Sequence, residues 1–166
     1  DAEAIGLFRS EFLFMDAKEL PSENEQFEAY RKVATALKGN PVIIRTLDVG
    51  GDKEIPYLHL THDDNPFMGY RAVRYCLSNA DQYKVQLRAL LRASAFGDIK
   101  IMIPLVTDLD EVRDVKKLVE ECKAELDAEG VEYNKNIEVG TMMETPAASL
   151  IADDLAAECD FFSIGT

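Results

Sequence analysis

The sequence predicts an α/β fold built on a parallel β-sheet. Five short apolar runs are nearly continuous rather than alternating, which is typical of strands covered on both faces. Segments with helical periodicity lie between these runs, so strands and helices alternate along the chain, with right-handed crossovers. This alternation fits both an open doubly wound sheet and a (β/α) barrel. The predicted strands are residues 5–8, 42–46, 99–106, 137–143 and 161–164.

Start signals and apolar spacing predict helices between the strands. Ser22-Glu23-Asn24-Glu25 is a capping box, and Gly39 is placed to end the helix that follows it. Asn65-Pro66 puts a capping residue before a proline that suits a first helical turn, and Asp81 opens the next segment. The residues expected to face the core are Phe27, Tyr30, Val33, Ala34 and Leu37 in the first helix, and Tyr83, Leu87, Leu90 and Leu91 after Asp81.

Two more helices are predicted nearer the C-terminus. Thr107 precedes the longest one, whose apolar residues recur at spacings of three and four, and Thr145-Pro146 starts the other. Between residues 107 and 136, ten acidic and five basic residues predict a solvated outer face. The residues expected to face inward are Val112, Val115, Leu118, Val119, Cys122 and Leu126 in the longest helix, and Ala147, Leu150, Ile151 and Leu155 in the last.

Length and charge limit the functions that the chain can have. The 166 residues and 18.6 kDa suit a single domain with a full core. Thirty-one acidic against 18 basic residues give a net charge of −13, which argues against a protein that binds nucleic acid electrostatically. A hydrophobic content of 47% excludes a disordered chain. No apolar run approaches the roughly 20 residues of a membrane helix, and no signal peptide is recognisable.

The cysteines predict a reducing, cytoplasmic environment. Cys76, Cys122 and Cys159 are an odd number without a CxxC pair, so we interpret them as reduced, structural thiols. The chain opens abruptly at Asp1, and its final residues 160–166 have the character of a buried strand. Because a bare hydrophobic strand at a terminus invites aggregation, we expect the sequence to be a segment of a longer polypeptide.

Polar residues follow three of the predicted strands and suggest a binding site. Arg9 and Arg45 come at the ends of the first and second strands, and Glu144 at the end of the fourth. In parallel α/β folds these strand ends meet at one rim, where ligands bind. Two arginine forks match phosphate or carboxylate oxygens, and a carboxylate suits Mg²⁺. The pattern therefore predicts a phosphorylated or carboxylated metabolite held together with Mg²⁺.

A purely structural interpretation of the same arginines remains open. Arg9 and Arg45 both have an acid close in sequence, Glu11 or Asp48, with which each could form an ion pair. Arg71, expected just inside a helix start, is equally suited to reach an anion or to pair with Asp63 or Asp64.

Two further motifs have weaker interpretations. Val49-Gly50-Gly51-Asp52-Lys53 is a glycine-rich loop that ends in a lysine; it is not a Walker A motif, and a tight turn explains it equally well. His59 and His62 lie beside two aspartates, but no third ligand motif follows, so a solvated loop is favoured over a metal site.

Five motifs together resemble one known family. They are GLFRSEFLF (6–14), RTLDVGGDK (45–53), NPFMGYR (65–71), METPAA (143–148) and DFFSIGT (160–166). In this order, over essentially the whole chain, they resemble the C-terminal domain of enzyme I of the bacterial sugar phosphotransferase system, which binds phosphoenolpyruvate (PEP). The Gly-Gly-Asp-Lys stretch is more similar to enzyme I than to pyruvate phosphate dikinase or PEP synthase.

The resemblance implies a fold and a set of site residues. The fold would be a TIM-type (β/α) barrel, with residues 1–166 forming a partial domain of about five of the eight strands, truncated at both ends. Arg9 and Arg45 match the arginines that hold the PEP phosphate, and Glu144 matches one Mg²⁺ ligand. Arg71 and Lys53 match positions near the phosphate.

The resemblance also implies a reaction and partners. In the family, PEP phosphorylates a histidine on a separate N-terminal domain, which passes the group to the carrier protein HPr. The phosphohistidine, a cysteine acid and the second Mg²⁺ ligand have no match in this sequence, and neither His59 nor His62 lies in a matching context. We therefore expect the isolated chain to be inactive and to self-associate; PEP-dependent phosphorylation of HPr by it, or a stable monomer in light scattering, would contradict these expectations.

Two other classes of function stay open at this stage. One is a different barrel enzyme that handles PEP or pyruvate, such as a dikinase, PEP synthase, aldolase or lyase. The other is a folded segment without catalytic activity, which would bind no PEP with Mg²⁺ in a titration.

Overall fold

The computed structural model describes residues 3–50, 55–58 and 68–165, in which strands and helices alternate as expected. The strands are β1 (Ile5–Arg9), β2 (Val42–Arg45), β3 (Ile99–Ile103), β4 (Val139–Met143) and β5 (Phe162–Ile164). The α-helices are α1 (Glu11–Met15), α2 (Glu23–Ala36), α3 (Val73–Ser78), α4 (Ala80–Ala93), α5 (Leu109–Glu129), α6 (Pro146–Leu150) and α7 (Ala152–Glu158). Short 3-10 helices are Pro56–Leu58 and Ser94–Phe96.

The five strands form one parallel sheet in the order β1-β2-β3-β4-β5. A doubly wound sheet reverses its strand order at a switch point, whereas here each strand pairs with the next one along the chain. The fold is therefore part of a parallel (β/α) barrel, and all five predicted strands are confirmed. The third is shorter than predicted because Pro104 has no N–H to donate and Leu105 has a left-handed backbone, with φ of 54°.

The helices pack side by side on one face of the sheet. Helix α2 contacts α4, α4 contacts α5, and α5 contacts α7, in the same sequence as the strands that they connect. The strand side chains beneath them form a fully buried apolar layer, so the opposite face is the concave interior of the partial barrel. The buried layer contains Val42, Ile44, Ile99, Ile101 and Ile103, and Val139 is nearly as buried.

Capping residues explain where the longer helices begin. Ser22 and Glu25 form the predicted capping box at the start of α2. At α5 the cap lies one residue later than predicted: the Asp108 carboxylate accepts from the Glu111 N–H, at 2.9 Å, and Glu111 accepts from the Asp108 N–H. The hydroxyl of Thr145 caps α6, as predicted.

Two helical predictions are wrong in detail. The helix expected after Thr145 is broken at Ile151, whose backbone is not helical (φ −109°, ψ 24°), so Leu150 is 88% exposed instead of facing inward. Helix α3 begins at Val73, so Arg71 precedes the helix rather than lying inside it. Asn65-Pro66, His59 and His62 lie outside the described residues.

The acidic helix α5 is only partly a solvated face. Glu111 is buried in the capping box, and Glu125 is half-buried, where it accepts from Arg88 of α4 at 3.1 Å and also pairs with Lys84. Arg88 also donates to Glu23 of α2 at 2.7 Å, so ion pairs link three neighbouring helices.

No helix in the described part of the chain is long and apolar enough to cross a membrane.

Candidate functional site

Two arginines stand next to each other where β1 and β2 end. Arg9 is the register partner of Arg45, and Arg45 is the partner of Met102 on β3. Side chains alternate between the two faces of a strand. The preceding residue of β1, Phe8, faces the helices, where its ring lies edge-on to Tyr30 with the centroids 6.1 Å apart. Both arginines therefore lie on the interior face, as the sequence predicted from their positions.

Arg45 is held in the interior by two carboxylates. Its Nη2 lies 2.6 Å from Glu11 Oε1 and 3.0 Å from Asp48 Oδ2, and its Nη1 lies 3.9 Å from the sulfur of Met142. The residue is only 6% exposed, and Glu11 is fully buried. The Arg45 Nε is also buried, and it meets no hydrogen-bond acceptor within the described ranges. Buried donors are normally satisfied, so this N–H lacks a partner that most buried donors have.

Asp48 joins a second guanidinium to the first. Its Oδ1 accepts from Arg71 Nη2 at 2.7 Å, while its Oδ2 contacts Arg45. Asp48 is thus one partner of Arg71, a pairing that the sequence had suggested only for Arg9 and Arg45; Asp63 and Asp64 lie outside the described residues. The acids and the arginines are therefore paired, and the pairing fixes the orientation of both forks at the strand ends.

Arg9 differs from the other two arginines in its exposure. Its side chain is open to solvent and forms no ion pair or hydrogen bond to any residue that the structure describes. Lys53, the remaining basic residue predicted for the site, lies outside those residues.

Glu144 lies at the same rim, directly after β4. Its Oε1 accepts a hydrogen bond of 2.9 Å from the Leu105 N–H, and its side chain is half-buried. The pKa of Glu144 is raised, mainly by burial of its side chain and further by the negative charge of Asp48. The hydrogen bond from the Leu105 N–H and the positive charges of Arg45 and Arg71 act in the opposite direction. Glu144 thus lies close enough to Arg45, Asp48 and Arg71 for their charges to change its pKa.

A glycine makes room for Glu144. A Cβ on Gly165, which follows β5, would lie 2.6 Å from the Glu144 Cβ and 3.2 Å from its Oε2. Such a contact is far inside normal separations, so the end of β5 approaches the carboxylate as closely as it does only because residue 165 lacks a side chain.

No group of three or more His, Cys, Asp or Glu side chains suited to a metal occurs in the described ranges.

A buried glutamine connects the two strand ends and was not singled out from the sequence. Gln86 of α4 accepts from the Leu47 N–H at 2.9 Å and donates to the Ser10 hydroxyl at 3.0 Å and to the Tyr30 hydroxyl at 3.1 Å. Ser10 lies between Arg9 and Glu11, and Leu47 between Arg45 and Asp48. The signal was present: Gln86 falls three residues after Tyr83 in the apolar stripe, where a polar residue needs a buried partner.

The cysteines match their structural interpretation. All three are free, and burial raises the pKa of each thiol, to about 12 for Cys122 and about 11 for Cys159. Thiols with raised pKa values stay protonated at neutral pH and are poor nucleophiles.

Replacing Gly50 with alanine is expected to destabilise the fold by about 1–3 kcal/mol, because φ at Gly50 is +129° and a Cβ there would lie 2.5 Å from the Arg71 Cβ. Gly39→Ala is a matched control, since φ is +89° but a Cβ would meet nothing within 4 Å. Urea unfolding should show the larger loss for Gly50→Ala. Equal losses would mean that backbone strain, not the approach of Arg71, decides the cost.

Replacing Glu144 with glutamine is expected to change the pH dependence of stability. Because the pKa of Glu144 is raised above its ordinary value of 4.5, the folded state binds this proton more tightly than the unfolded state, so wild-type stability falls as pH rises from 4.5 through the folded pKa. Glu144→Gln removes that loss. Urea unfolding between pH 4 and pH 8 should therefore show the variant gaining stability relative to the wild type as pH rises. Glu120→Gln, at an exposed position, is the control and should leave the pH dependence of the unfolding free energy as in the wild type. A difference between Glu144→Gln and the wild type that stays constant with pH would contradict the prediction.

Comparisons with known proteins agree with this arrangement. A family described as "PEP-utilising enzyme, PEP-binding domain" matches residues 1–166. Proteins named "Phosphoenolpyruvate-protein phosphotransferase" are similar over 99% of the chain: one from Priestia megaterium at 52% identity, covering 29% of that protein, and ones from Geobacillus stearothermophilus and Staphylococcus carnosus at 54%, covering 28% and 29%. The chain thus spans less than a third of the length of these curated relatives.

Proposed function

This chain belongs to the family of PEP-binding domains of PEP-utilising enzymes, and from that premise we propose that it binds PEP at the carboxyl ends of its strands, within a protein that transfers the phosphoryl group of PEP to another protein. The resemblance to enzyme I and the names of the curated relatives support the second part of the proposal.

Arg45 is the observation that carries the PEP site. Its guanidinium is buried, is oriented by two carboxylates, and retains an Nε–H without an acceptor in the described part of the chain. An anion at the mouth of the barrel would satisfy that donor, with the exposed Arg9 beside it contributing a second fork. Arginine forks match phosphate oxygens in geometry as well as in charge.

The remaining residues have supporting roles in the proposal. Arg71 shares Asp48 with Arg45 and adds positive charge on the same side of the site. Lys53 is assigned to the phosphate by the resemblance alone. PEP carries about three negative charges, so an acidic protein needs a local cluster of cations to bind it.

Glu144 fits a role as a ligand of Mg²⁺. It is a hard oxygen donor at the same rim, and its Oε1 is already oriented by the Leu105 N–H. Mg²⁺ is commonly bound by one or two carboxylates together with substrate oxygens and water, so a site without a three-carboxylate cluster is compatible with it. When bound, Mg²⁺ would neutralise negative charge on the substrate oxygens. Because cation binding requires a carboxylate, the burial that raises the pKa of Glu144 favours release of the cation at low pH.

The chemistry required of these residues is mainly positioning. Phosphoryl transfer proceeds through a loose transition state, in which catalysis depends on alignment and on stabilising the charge of the phosphate oxygens. Arg9 and Arg45 are register partners on paired strands, so the sheet fixes the separation of the two backbone positions from which the forks extend. The acceptor in the proposal is a histidine of a separate N-terminal domain, followed by HPr, in a cytoplasmic route for sugar uptake. Self-association, expected from the sequence, remains part of the proposal.

The test is a calorimetric titration of the full-length gene product with PEP in the presence of Mg²⁺. We expect saturable binding of PEP, at least tenfold tighter than binding of pyruvate, which has the carboxylate but lacks the phosphate. Equal binding of the two compounds would favour a barrel enzyme of the aldolase or lyase type. Absence of binding by either would reject the proposal.

A further inference from the structure

Arg74 joins two loops at the rim of the barrel. It lies in the first turn of α3, and its Nη1 donates to the carbonyl oxygens of Met68 and Gly69, both at 2.6 Å. Its Nη2 donates to the carbonyl of Leu105, at 3.4 Å. One guanidinium thus bridges the segment before α3 and the segment after β3, which are more than thirty residues apart in the sequence.

The Leu105 side of this bridge leads to Glu144. Leu105 has a positive φ of 54°, which is costly for a residue with a branched side chain and persists only where the surroundings hold it. Its N–H is the donor to Glu144 Oε1, at 2.9 Å. Arg74 therefore holds the carbonyl of the same strained residue whose amide orients the carboxylate.

The other side of the bridge leads to Arg71. The Arg71 N–H donates to the Gly69 carbonyl at 3.0 Å, and the Arg74 N–H donates to the Arg71 carbonyl at 3.2 Å. Ala72, between them, also has a positive φ, of 50°. The backbone that carries Arg71 is thus strained as well, and Arg74 contacts it both through its own amide and through its guanidinium.

Among the residues that the structure describes, Arg74 forms no ion pair within hydrogen-bond distance. The nearest carboxylate oxygen with which it is paired, Glu111 Oε1, lies 4.0 Å from its Nε, beyond hydrogen-bond distance. The carboxylate of Glu111 accepts instead from the Thr107 and Asp108 N–H groups at the start of α5. The planar fork of Arg74 is directed at three carbonyls, an arrangement that fixes backbone segments rather than neutralising a charge.

We propose that Arg74 is a positioning residue for PEP binding, which orients Glu144 through Leu105 and Arg71 through the segment at residues 68–71. The inference rests on the proposed function, because it assigns to Arg74 the relative placement of the phosphate-binding and cation-binding sides of that site. Within the described residues, the side chain of Arg74 makes no hydrogen bond to the Glu144 carboxylate or to the Arg71 guanidinium.

The test compares Arg74→Leu and Arg74→Lys with the wild-type full-length gene product in titrations with PEP over a range of Mg²⁺ concentrations. We expect Arg74→Leu to weaken PEP binding by tenfold or more and to raise the Mg²⁺ concentration needed for half-maximal binding. Arg74→Lys keeps the charge but lacks the fork that spans both segments. Its affinity for PEP should therefore lie between those of the wild type and Arg74→Leu. Arg113→Leu is the matched control: Arg113 is exposed and pairs with Glu158 and Asp110, away from the rim.

The outcomes separate this inference from the function on which it rests. All titrations are made well below the melting transition of each variant, where a purely structural role for Arg74 would lower the melting temperature and leave the affinity and the Mg²⁺ dependence unchanged. Wild-type affinity and Mg²⁺ dependence in Arg74→Lys, or in a folded Arg74→Leu, would overturn the inference. If Arg74→Leu does not fold, Arg74→Lys decides alone. Failure of the wild type to bind PEP would instead reject the proposed function.

Discussion

Replacing Arg45 with alanine is expected to weaken PEP binding by roughly 10- to 100-fold, since charge-assisted hydrogen bonds contribute about 1.5–3 kcal/mol each. The same change is expected to destabilise the fold by about 3–5 kcal/mol, because it removes a buried cation that contacts both Glu11 and Asp48. Glu11 is fully buried and Asp48 nearly so. Calorimetry and urea unfolding measure the two effects separately.

A double replacement separates the stability effect from the binding effect. Glu11→Gln in the Arg45→Ala background removes one of the two buried charges that Arg45 contacts, so part of the lost stability should return while PEP affinity stays low. Arg45→Lys, which keeps a positive charge without the planar fork, should fold and still bind PEP more weakly than the wild type. Recovery of affinity in the double variant, or wild-type affinity in Arg45→Lys, would remove Arg45 from the binding site. The exposed replacement Arg113→Ala should change neither quantity.

Replacing Gln86 with leucine is expected to destabilise the fold by about 2–4 kcal/mol, because it leaves buried polar groups without a partner at about 1–3 kcal/mol each. The groups concerned are the Leu47 N–H and the Ser10 hydroxyl; the Tyr30 hydroxyl loses one bond but still donates to Gln26. Leucine is close to glutamine in volume, so the loss reports the hydrogen bonds rather than a cavity. Urea unfolding measures it.

Gln86→Leu is also expected to weaken PEP binding, because Ser10 and Leu47 adjoin the strand-end arginines. Gln82→Leu is the matched control on the same helix: Gln82 is exposed and accepts one hydrogen bond, from the Tyr75 hydroxyl, so its change should cost only about 0.5–1.5 kcal/mol. Equal stability of the two variants would contradict the prediction for Gln86. Unchanged PEP affinity in folded Gln86→Leu would restrict Gln86 to a role in stability.

The strands and the longer helices were predictable because their signals are local. A strand covered on both faces must be apolar throughout, and each of the five apolar runs became a strand. A capping box satisfies N–H groups within four residues, so Ser22 and Glu25 were sufficient to locate the start of α2. Local signals failed at Ile151, where the expected helix is broken although the apolar spacing continues, and Leu150 is exposed.

By itself, the sequence determined the alternation of parallel strands with helices and the placement of Arg9, Arg45 and Glu144 at the strand ends. It could do so because parallel strands bring their carboxyl ends to one edge, whatever the details of packing. The tertiary structure decided that Arg45 contacts Glu11 and Asp48, that Asp48 is shared by Arg45 and Arg71, and that Leu105 orients Glu144.

Gln86 and Arg74 belong to the part that only the tertiary structure decided. Gln86 contacts Ser10 from 76 positions away, and Arg74 contacts Leu105 from 31. Side-chain contacts across such separations depend on how helices pack over strands and on backbone conformations such as the positive φ of Leu105. No local pattern encodes them, because the physical cause of each contact is the packing of the whole fold.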